Sequence, residues 1–325
     1  MLTDIARGAA YAVRELRANY DDRQWWKGRF RHRVVGDLYY GRLRPNDGHY
    51  VIKEDWDVLV VLDAAGYDLF RSEVGAFGVD PTRVEKRTSR GSATPQFLAE
   101  NFPGTYPDTV YVTANPMVDV HVGDAFHDLV SVWKTHWDDD ERTVRPKDVR
   151  DVALETAARY PDKRIVVHFM QPHWPFVDHD LTDDVVGFGA TRARADEAFA
   201  DDVDEEEKNL WDLVEAGAIA PDRAREGFTA NLRLALPHAL DVARETTGRA
   251  VVTADHGNSI GDRAWPFPLR IYGHPPGVRM RSLIEVPWLV FEDDERRDLR
   301  VDTTAETTYD DATATQRLEA LGYVD

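Results

Sequence analysis

The sequence contains no cysteine, and this absence excludes several kinds of chemistry. Disulfide bonds, thiolate metal sites and cysteine nucleophiles all require a sulfhydryl group. Any metal ion that the chain binds must therefore be held by oxygen atoms or by histidine nitrogen atoms.

Lysine is also scarce, since only seven of the 40 basic residues are lysine, and the formal net charge is -19. Phosphate backbones are bound mainly by clustered basic residues, so this charge disfavours nonspecific nucleic-acid binding. A surface rich in Asp, Glu and Arg resembles that of proteins from extreme halophiles, which stays hydrated in concentrated salt. The coding bias of a high-GC genome would give similar counts, so the composition leaves both explanations open.

Long apolar segments are absent as well. No apolar run approaches the roughly 18 to 20 residues that a membrane-spanning helix requires, and the first residues lack the hydrophobic core of a signal peptide. We therefore expect a cytoplasmic protein. An apolar fraction of 42%, arranged in recurring short runs, nevertheless excludes a wholly disordered chain.

The first 50 residues differ from the rest, and we interpret them as a basic, helical N-terminal arm. Residues 1–45 contain ten Arg and Lys residues but only five Asp and Glu residues, interleaved with aromatic side chains. One interpretation is a surface that docks on an anionic partner or a peripheral membrane face. The other, which we favour, is a helix over Thr3 to Asn19 that packs on the acidic body through salt bridges.

Residues 51–325 show the pattern of a single α/β domain. Buried strands are predicted from apolar runs at residues 57–62, 109–113, 165–169, 250–253 and 286–291. Helices are predicted over 147–160 and 223–246, with Pro237 kinking or breaking the second. This alternation predicts a mostly parallel central sheet with helices on both faces. An acidic segment at 195–207 predicts a solvated insertion or lid, which we place around residues 180–225.

The strongest indication of function is Asp255-His256-Gly257, directly after the predicted strand at 250–253. A carboxylate beside an imidazole can bind a divalent cation, and glycine permits a tight turn after the strand. An isolated Asp-His pair also occurs where Asp simply caps a helix. Asp63 ends the first predicted strand, and open α/β sheets place their ligand sites at such strand ends.

These residues, with the Thr94 segment between them and Gly273-His274 after them, resemble the motifs of the sulfatase/alkaline phosphatase superfamily in their order. The resemblance runs from about residue 55 to the C-terminus, where residues 318–323 are similar to a sulfatase ending. It implies an alkaline phosphatase-like fold. It also implies a metal ion held by Asp63, Asp255 and His256 beside a nucleophilic hydroxyl group, which itself contacts the metal.

Three hydroxyl residues, Ser89, Ser92 and Thr94, are candidates for this nucleophile, and we choose Thr94. In sulfatases the nucleophile opens a helix that ends at a glycine, and the matching position here is Gly104. Thr94-Pro95 also fits a helix start, where free N–H groups favour an anion. Thr94 could instead be an ordinary helix N-cap.

Two further loops supply candidate site residues. His173, followed by Trp-Pro-Phe, is similar to a substrate-contacting histidine of relatives that transfer phosphoglycerol, while His274 could bind metal or protonate the leaving oxygen. Ser92 and Arg90 are predicted to bind the substrate, Arg90 by clamping its anionic group. The alternatives are two histidines packed in ordinary loops and an arginine that is an ordinary surface charge.

The resemblance implies a metal-dependent hydrolase or transferase of phosphate or sulfate esters that uses a Thr nucleophile. A formylglycine sulfatase is not expected, because the Ser92-Ala-Thr-Pro segment lacks the required Cys/Ser-x-Pro-x-Arg pattern. We expect one divalent ion, manganese, zinc or magnesium rather than calcium. The expected substrate is a phosphorylated or sulfated small molecule, glycan or lipid headgroup. The alternative is a noncatalytic relative that binds an anionic glycan or partner in the same cleft.

Overall fold

A computed structural model describes residues 17, 19–21, 23–44, 46–181 and 210–301. Most of the predicted helix over Thr3 to Asn19 lies outside these residues, as do the acidic segment at 195–207 and the sulfatase-like ending at 318–323. The division into an arm of 50 residues and a domain with an acidic insertion remains a prediction. Within the described ranges, no helix is both long enough and apolar enough to cross a bilayer.

The chain alternates strands and helices from residue 58 onward. The strands are β1 (Val58–Asp63), β2 (Glu85–Thr88), β3 (Tyr106–Thr113), β4 (Phe126–Ser131), β5 (Trp137–Asp138), β6 (Thr143–Val144), β7 (Arg164–Pro172), β8 (Ala250–Ala254), β9 (Ser259–Arg263), β10 (Arg270–Gly273) and β11 (Glu285–Phe291). The α-helices are α1 (Arg23–Phe30), α2 (Tyr67–Glu73), α3 (Thr94–Asn101), α4 (Met117–Val122), α5 (Pro146–Arg159), α6 (Leu210–Glu215), α7 (Pro221–Glu245) and α8 (Arg281–Ile284). A π-helix, Arg31–Leu43, follows α1 directly.

Seven strands form one central sheet, in the order β2-β11-β8-β1-β7-β3-β4. The strands from β8 to β4 pair in parallel, whereas β11 is antiparallel to both of its neighbours, β2 and β8. Leu62 of β1 is in register with Phe169 of β7 and Ala254 of β8. The chain therefore leaves these three central strands at the same edge of the sheet, directly before the predicted site residues.

Both faces of the sheet are covered, which explains why β1 is apolar at nearly every position. Val58, Val60 and Leu62 pack in a cluster with side chains of α2, α5 and α7. Leu59 and Val61 point the other way and pack with side chains of α3 and α4. A strand buried on both faces needs this continuous apolar run, because alternate side chains enter different cores. The predicted α/β fold, mostly parallel with helices on both faces, is confirmed.

The two predicted helices are found with small shifts of their ends, as α5 and α7, and each has Pro near its first position. Of the kink or break predicted at Pro237, the break is wrong, since α7 runs through this residue. Its neighbours Leu236 and Leu240 are fully buried against the sheet. This burial offsets the hydrogen bond that proline cannot make.

Candidate active site

The structure brings together the residues predicted to form the site, although they come from distant parts of the chain. Asp63 ends β1, Asp255 directly follows β8, and Thr94 is the first residue of α3. The Thr94 hydroxyl donates to Asp255 Oδ2 at 2.7 Å and lies 3.5 Å from Asp63 Oδ2. His256 Nε2 is 3.3 Å from the same hydroxyl. These four side chains form one buried cluster, with exposed fractions of 5% or less.

Backbone N–H groups fix the orientation of the Asp255 carboxylate. Its Oδ1 atom accepts hydrogen bonds from the N–H groups of Ala64 and His256, at 3.0 and 2.8 Å. Its Oδ2 atom is thereby left facing Thr94 and His256 Nε2, which lies 3.3 Å away. Ala64, whose N–H makes one of these bonds, has a φ of 65°, a conformation that is rare outside glycine.

Asp63 is held by a residue that sequence reasoning missed. Asn115, just beyond β3, donates from Nδ2 to Asp63 Oδ2 at 2.6 Å. The other carboxylate oxygen, Oδ1, is buried and has no hydrogen-bond partner among the described residues. It lies 3.7 Å from His256 Nε2.

His168 is a second residue that was missed as part of the site. It lies in β7, fully buried, with Nε2 3.9 Å from Asp255 Oδ2 and Nδ1 3.0 Å from the Tyr111 hydroxyl. One ligand atom each of Asp63, His168 and Asp255 lie within 4.8 Å of one another. A signal was present in the sequence, because a histidine interrupts the apolar run at 165–169 of a central strand, where polar residues are unusual.

The donor atoms fit a divalent cation. Buried polar groups are normally hydrogen-bonded, yet Asp63 Oδ1 and His168 Nε2 have no such partner in the described chain and face the same cluster. Carboxylate oxygen and imidazole nitrogen are the ligands that zinc and manganese accept. The Tyr111 hydroxyl can accept Nδ1–H of His168, which would leave Nε2 free to coordinate.

The electrostatics of the cluster also favour a cation. Burial, together with the charge of Asp255, raises the pKa of Asp63 well above its usual range. Burial acts in the same direction on Asp255, but His256, His168 and two hydrogen bonds together lower the pKa of that carboxyl. Two carboxylates enclosed this closely repel each other, and a divalent ion between them removes this penalty. Burial also lowers the pKa of His168 to about 4, so its imidazole is neutral and can act as a ligand near neutral pH.

The two loop histidines lie beside this cluster and face each other. His173 Nε2 is 2.9 Å from His274 Nε2, and the His274 ring stacks on His256 with ring centroids 4.5 Å apart. Burial lowers the pKa of His173 to about 4 and that of His274 well below its usual value. One proton is therefore shared between two neutral rings. They lie next to the cluster of Asp63, Thr94, Asp255 and His256, which we call the Thr94 cluster.

The other candidate hydroxyl groups point elsewhere. Ser89 donates to the Asp255 main-chain carbonyl oxygen at 2.5 Å, and Ser92 donates to Gln96 Oε1 at 3.0 Å. The Arg90 guanidinium binds Glu100 and the Gly48 carbonyl oxygen and stacks 3.9 Å from the Tyr50 ring centroid. These contacts give Arg90 a structural role, and they lend no support to the predicted anion clamp.

The helix start and the Asp-His-Gly turn differ in detail from expectation. The N-cap of α3 is Ala93, so Thr94 is not the cap but the first helical residue, and the helix ends at Asn101 rather than at Gly104. Gly257 does not have a positive φ. A Cβ atom there would lie 2.2 Å from the Ser282 carbonyl oxygen, so close backbone packing, not a tight turn, requires the glycine.

No protein-family model matches the chain, and no curated protein matches it. Similar solved structures exist. The soluble domain of lipooligosaccharide phosphoethanolamine transferase A from Neisseria meningitidis has a TM-score of 0.48 and 11% identity, over 73% of this chain and 76% of that chain. The zinc complex of the C-terminal periplasmic domain of EcEptC from Escherichia coli has a TM-score of 0.45 and 12% identity, over 77% and 76%. An alkaline phosphatase superfamily protein from Vibrio parahaemolyticus has a TM-score of 0.38 and 14% identity, over 74% and 60%. These structures include members of the superfamily that the sequence motifs resemble.

Proposed function

We propose that the chain is a metal-dependent hydrolase or transferase of phosphate or sulfate esters that uses Thr94 as its nucleophile. The observation that carries this proposal is the position of the Thr94 hydroxyl. It lies at the start of α3, within hydrogen-bonding distance of Asp255, and in one cluster with Asp63 and His256.

Asp63, Asp255, His256 and Thr94 would hold one divalent ion, with His168 as a further ligand or a supporting residue. When bound, such an ion stabilises a deprotonated hydroxyl group and neutralises charge on the attacked phosphoryl or sulfuryl group. This contribution matters here because the charged side chains that contact Thr94 are carboxylates, which would otherwise repel an anionic substrate.

In the first step, Thr94 Oγ1 forms a bond to phosphorus or sulfur while the bond to the leaving oxygen breaks. The Thr94 proton leaves towards Asp255 Oδ2, the acceptor of its hydrogen bond. The leaving oxygen takes a proton that the His173–His274 pair relays from solvent, so that neither ring is left as an anion. In the second step, water or another alcohol bonds to phosphorus or sulfur and gives its proton to the His173–His274 pair, while the bond to Thr94 Oγ1 breaks and Oγ1 recovers its proton from Asp255. Attack by water gives hydrolysis, and attack by another alcohol gives transfer.

His173 and His274 are also close enough to the Thr94 cluster to bind the nonbridging oxygens of the phosphate or sulfate group. His173 Nδ1 already contacts the Trp174 carbonyl oxygen, whereas His274 Nδ1 has no partner among the described residues, so His274 is the ring that can contact such an oxygen without introducing a fixed charge. α3 begins at Thr94, and the N–H groups in the first turn of a helix have no partner within the helix, so they would add further donors. Ser92, two residues before Thr94, remains a predicted substrate contact.

The test uses chromogenic phosphate monoesters, phosphate diesters and sulfate esters, with manganese or zinc added after chelation. We expect turnover by the wild-type chain and none by Thr94→Ala, whereas Ser92→Ala should retain activity within about tenfold. Mass spectrometry of the quenched reaction should find a phosphorylated or sulfated peptide that contains Thr94. If no ester is turned over and Thr94 is never modified while metal still binds, the noncatalytic alternative is correct.

A further inference from the structure

We propose that the N-terminal arm docks the protein on an anionic lipid bilayer. The contact is made by an aromatic-basic surface, which we define by Trp26, Phe30, Leu38, Leu43 and Trp265 with the arginines around them. This inference goes beyond the catalytic proposal, since it concerns a surface and not the Thr94 cluster.

Exposed large apolar side chains are concentrated at this surface. Across the described ranges, nine such side chains are exposed, and six of them lie in the arm or in the β9–β10 hairpin next to it. The six are Tyr20, Trp26, Phe30, Leu38, Leu43 and Trp265, of which Trp265 is 74% exposed. Single exposed apolar residues are common, but a group of this size on one face indicates an interaction site.

Helix geometry relates these residues in pairs, and ring contacts join the arm to the hairpin that carries Trp265. Trp26 and Phe30 are four residues apart in α1, and Leu38 and Leu43 are five apart in the π-helix, so each pair shares a helix face. The Phe30 and Tyr39 rings contact the Phe267 ring, with centroids 5.6 and 5.2 Å away. Phe267 lies in the β9–β10 hairpin, two residues after Trp265, and therefore brings the hairpin tip to the arm.

The arm has a second apolar face, which is already covered. Val35 and Tyr40 are buried in a cluster with Ala264, Ile271 and Met280 of the body. Lys27 and Arg31 bind Glu215 of α6 and fix the arm further. Apart from Phe30, which contacts Phe267, the exposed aromatic and aliphatic side chains are therefore not needed to hold the arm in place.

The charge of this face fits an anionic bilayer. Arg33, Arg42 and Arg44 of the arm and Arg263 at the end of β9 in the hairpin are exposed, and of these Arg33 pairs with Asp37. The chain as a whole carries a net charge of -19, so its other faces are repelled by anionic lipid and also by a second copy of the chain. Trp, Phe and Leu beside Arg are the composition of an interfacial membrane contact, in which rings enter the headgroup region and guanidinium groups bind phosphates.

A short loop that contains Pro276 and Gly277 connects the arm to α3, the helix that begins at Thr94. A Cβ atom at Gly36 of the arm would lie 3.8 Å from the Pro276 carbonyl oxygen. The neighbouring Gly277 N–H donates to Gln96 of α3 at 3.0 Å, two residues beyond Thr94. Docking through the arm would thus place the Thr94 helix close to the bilayer. If the catalytic proposal holds, the substrate class this favours is a phosphorylated lipid headgroup.

The test is flotation of the full chain with vesicles of phosphatidylcholine alone or mixed with phosphatidylglycerol. We expect binding to the mixed vesicles only, weakened by added salt. Trp26→Ala and Trp265→Ala should each lower the bound fraction roughly tenfold, since each removes a large exposed ring. Leu299→Ala is the matched control, because Leu299 is 41% exposed outside this surface, and it should bind as the wild type does.

Thr94→Ala should also float like the wild type, so that a failure of catalysis and a failure of docking are separate results. Absence of flotation with the mixed vesicles, in protein with an unchanged circular dichroism spectrum, overturns the proposal. A wild-type dimer in gel filtration that Trp265→Ala converts to a monomer, without any vesicle binding, overturns it in favour of a second copy of this chain.

Discussion

The hydroxyl of Thr94 lies 2.7 Å from Oδ2 of Asp255, although 161 residues separate the two in the chain. Thr94 is placed by the start of α3, and Asp255 by the end of β8 and by the Ala64 and His256 N–H groups. Since both elements are anchored in the core, the distance is set by the sheet and not by a mobile loop. This relationship unites the proposed nucleophile with a proposed metal ligand.

Asp255→Asn should impair catalysis and metal binding without unfolding the protein. The amide has nearly the same shape as the carboxylate but no charge. We therefore expect the rate of ester turnover to fall about a thousandfold or more, and we expect the protein to bind less metal. Steady-state kinetics and metal analysis test this, with the exposed Asp298→Asn as control. Unchanged metal content would contradict it.

Removal of the metal should lower thermal stability. A ligand that binds only the folded state stabilises it by about 3 to 4 kcal/mol at 100 to 1,000 times its Kd, so a chelator should lower Tm by roughly 5 °C or more. Zinc or manganese should restore Tm in the wild type but not in Asp63→Asn, which lacks a carboxylate at the cluster. Differential scanning fluorimetry measures both. A Tm that is identical with and without chelator would argue that the cluster holds no ion.

The strand ends could be predicted from sequence for a simple physical reason. Asp63 and Asp255 each follow an apolar run, and the carboxyl ends of parallel strands meet at one edge of a sheet. His168 and Asn115 could not be placed in the same way. Their roles depend on β7 lying between β1 and β3, an order that no single segment of the sequence encodes. Family resemblance supplied the choice of Thr94, and the hydrogen bonds of Ser89 and Ser92 now support it.

Arg90 and Pro237 show how tertiary contacts add to what local patterns predict. An arginine near a candidate nucleophile resembles an anion clamp, but the guanidinium of Arg90 pairs with Glu100, ten residues further on. Proline predicts a helix break, but the burial of α7 along the sheet overrides this tendency.

Gly257→Ala should disturb the site through the backbone. The added methyl group would lie 2.2 Å from the Ser282 carbonyl oxygen and 3.2 Å from Gly66 Cα, so main chain must move on one side or the other. We expect a loss of about 2 kcal/mol or more in the free energy of unfolding and weaker metal binding, because Asp255 and His256 shift with Gly257. Denaturant unfolding and metal titration measure these effects.

Gly104→Ala is the matched control for that substitution. The nearest atom to a Cβ there is the Tyr106 hydroxyl oxygen at 3.7 Å, an ordinary contact. Its effect on unfolding should stay within about 0.5 kcal/mol, as for most substitutions with free space. If the two alanine variants were equally stable and bound metal equally well, close packing at Gly257 would not be what holds the Asp-His pair.

His49 should make stability depend on pH, independently of the metal cluster. Its Nδ1–H donates to the Thr88 carbonyl oxygen at 2.8 Å, its ring packs on Trp288, and its buried Nε2 has no partner in the described chain. Burial therefore lowers the pKa of His49. The unfolded chain takes up a proton on His49 as pH falls through about 6.5, whereas the folded chain resists protonation there, so stability is lost on acidification below that pH.

His49→Gln keeps a hydrogen-bond donor but cannot titrate. Its unfolding free energy should fall less steeply than that of the wild type between about pH 7 and pH 5 in denaturant titrations, and parallel curves would refute this role.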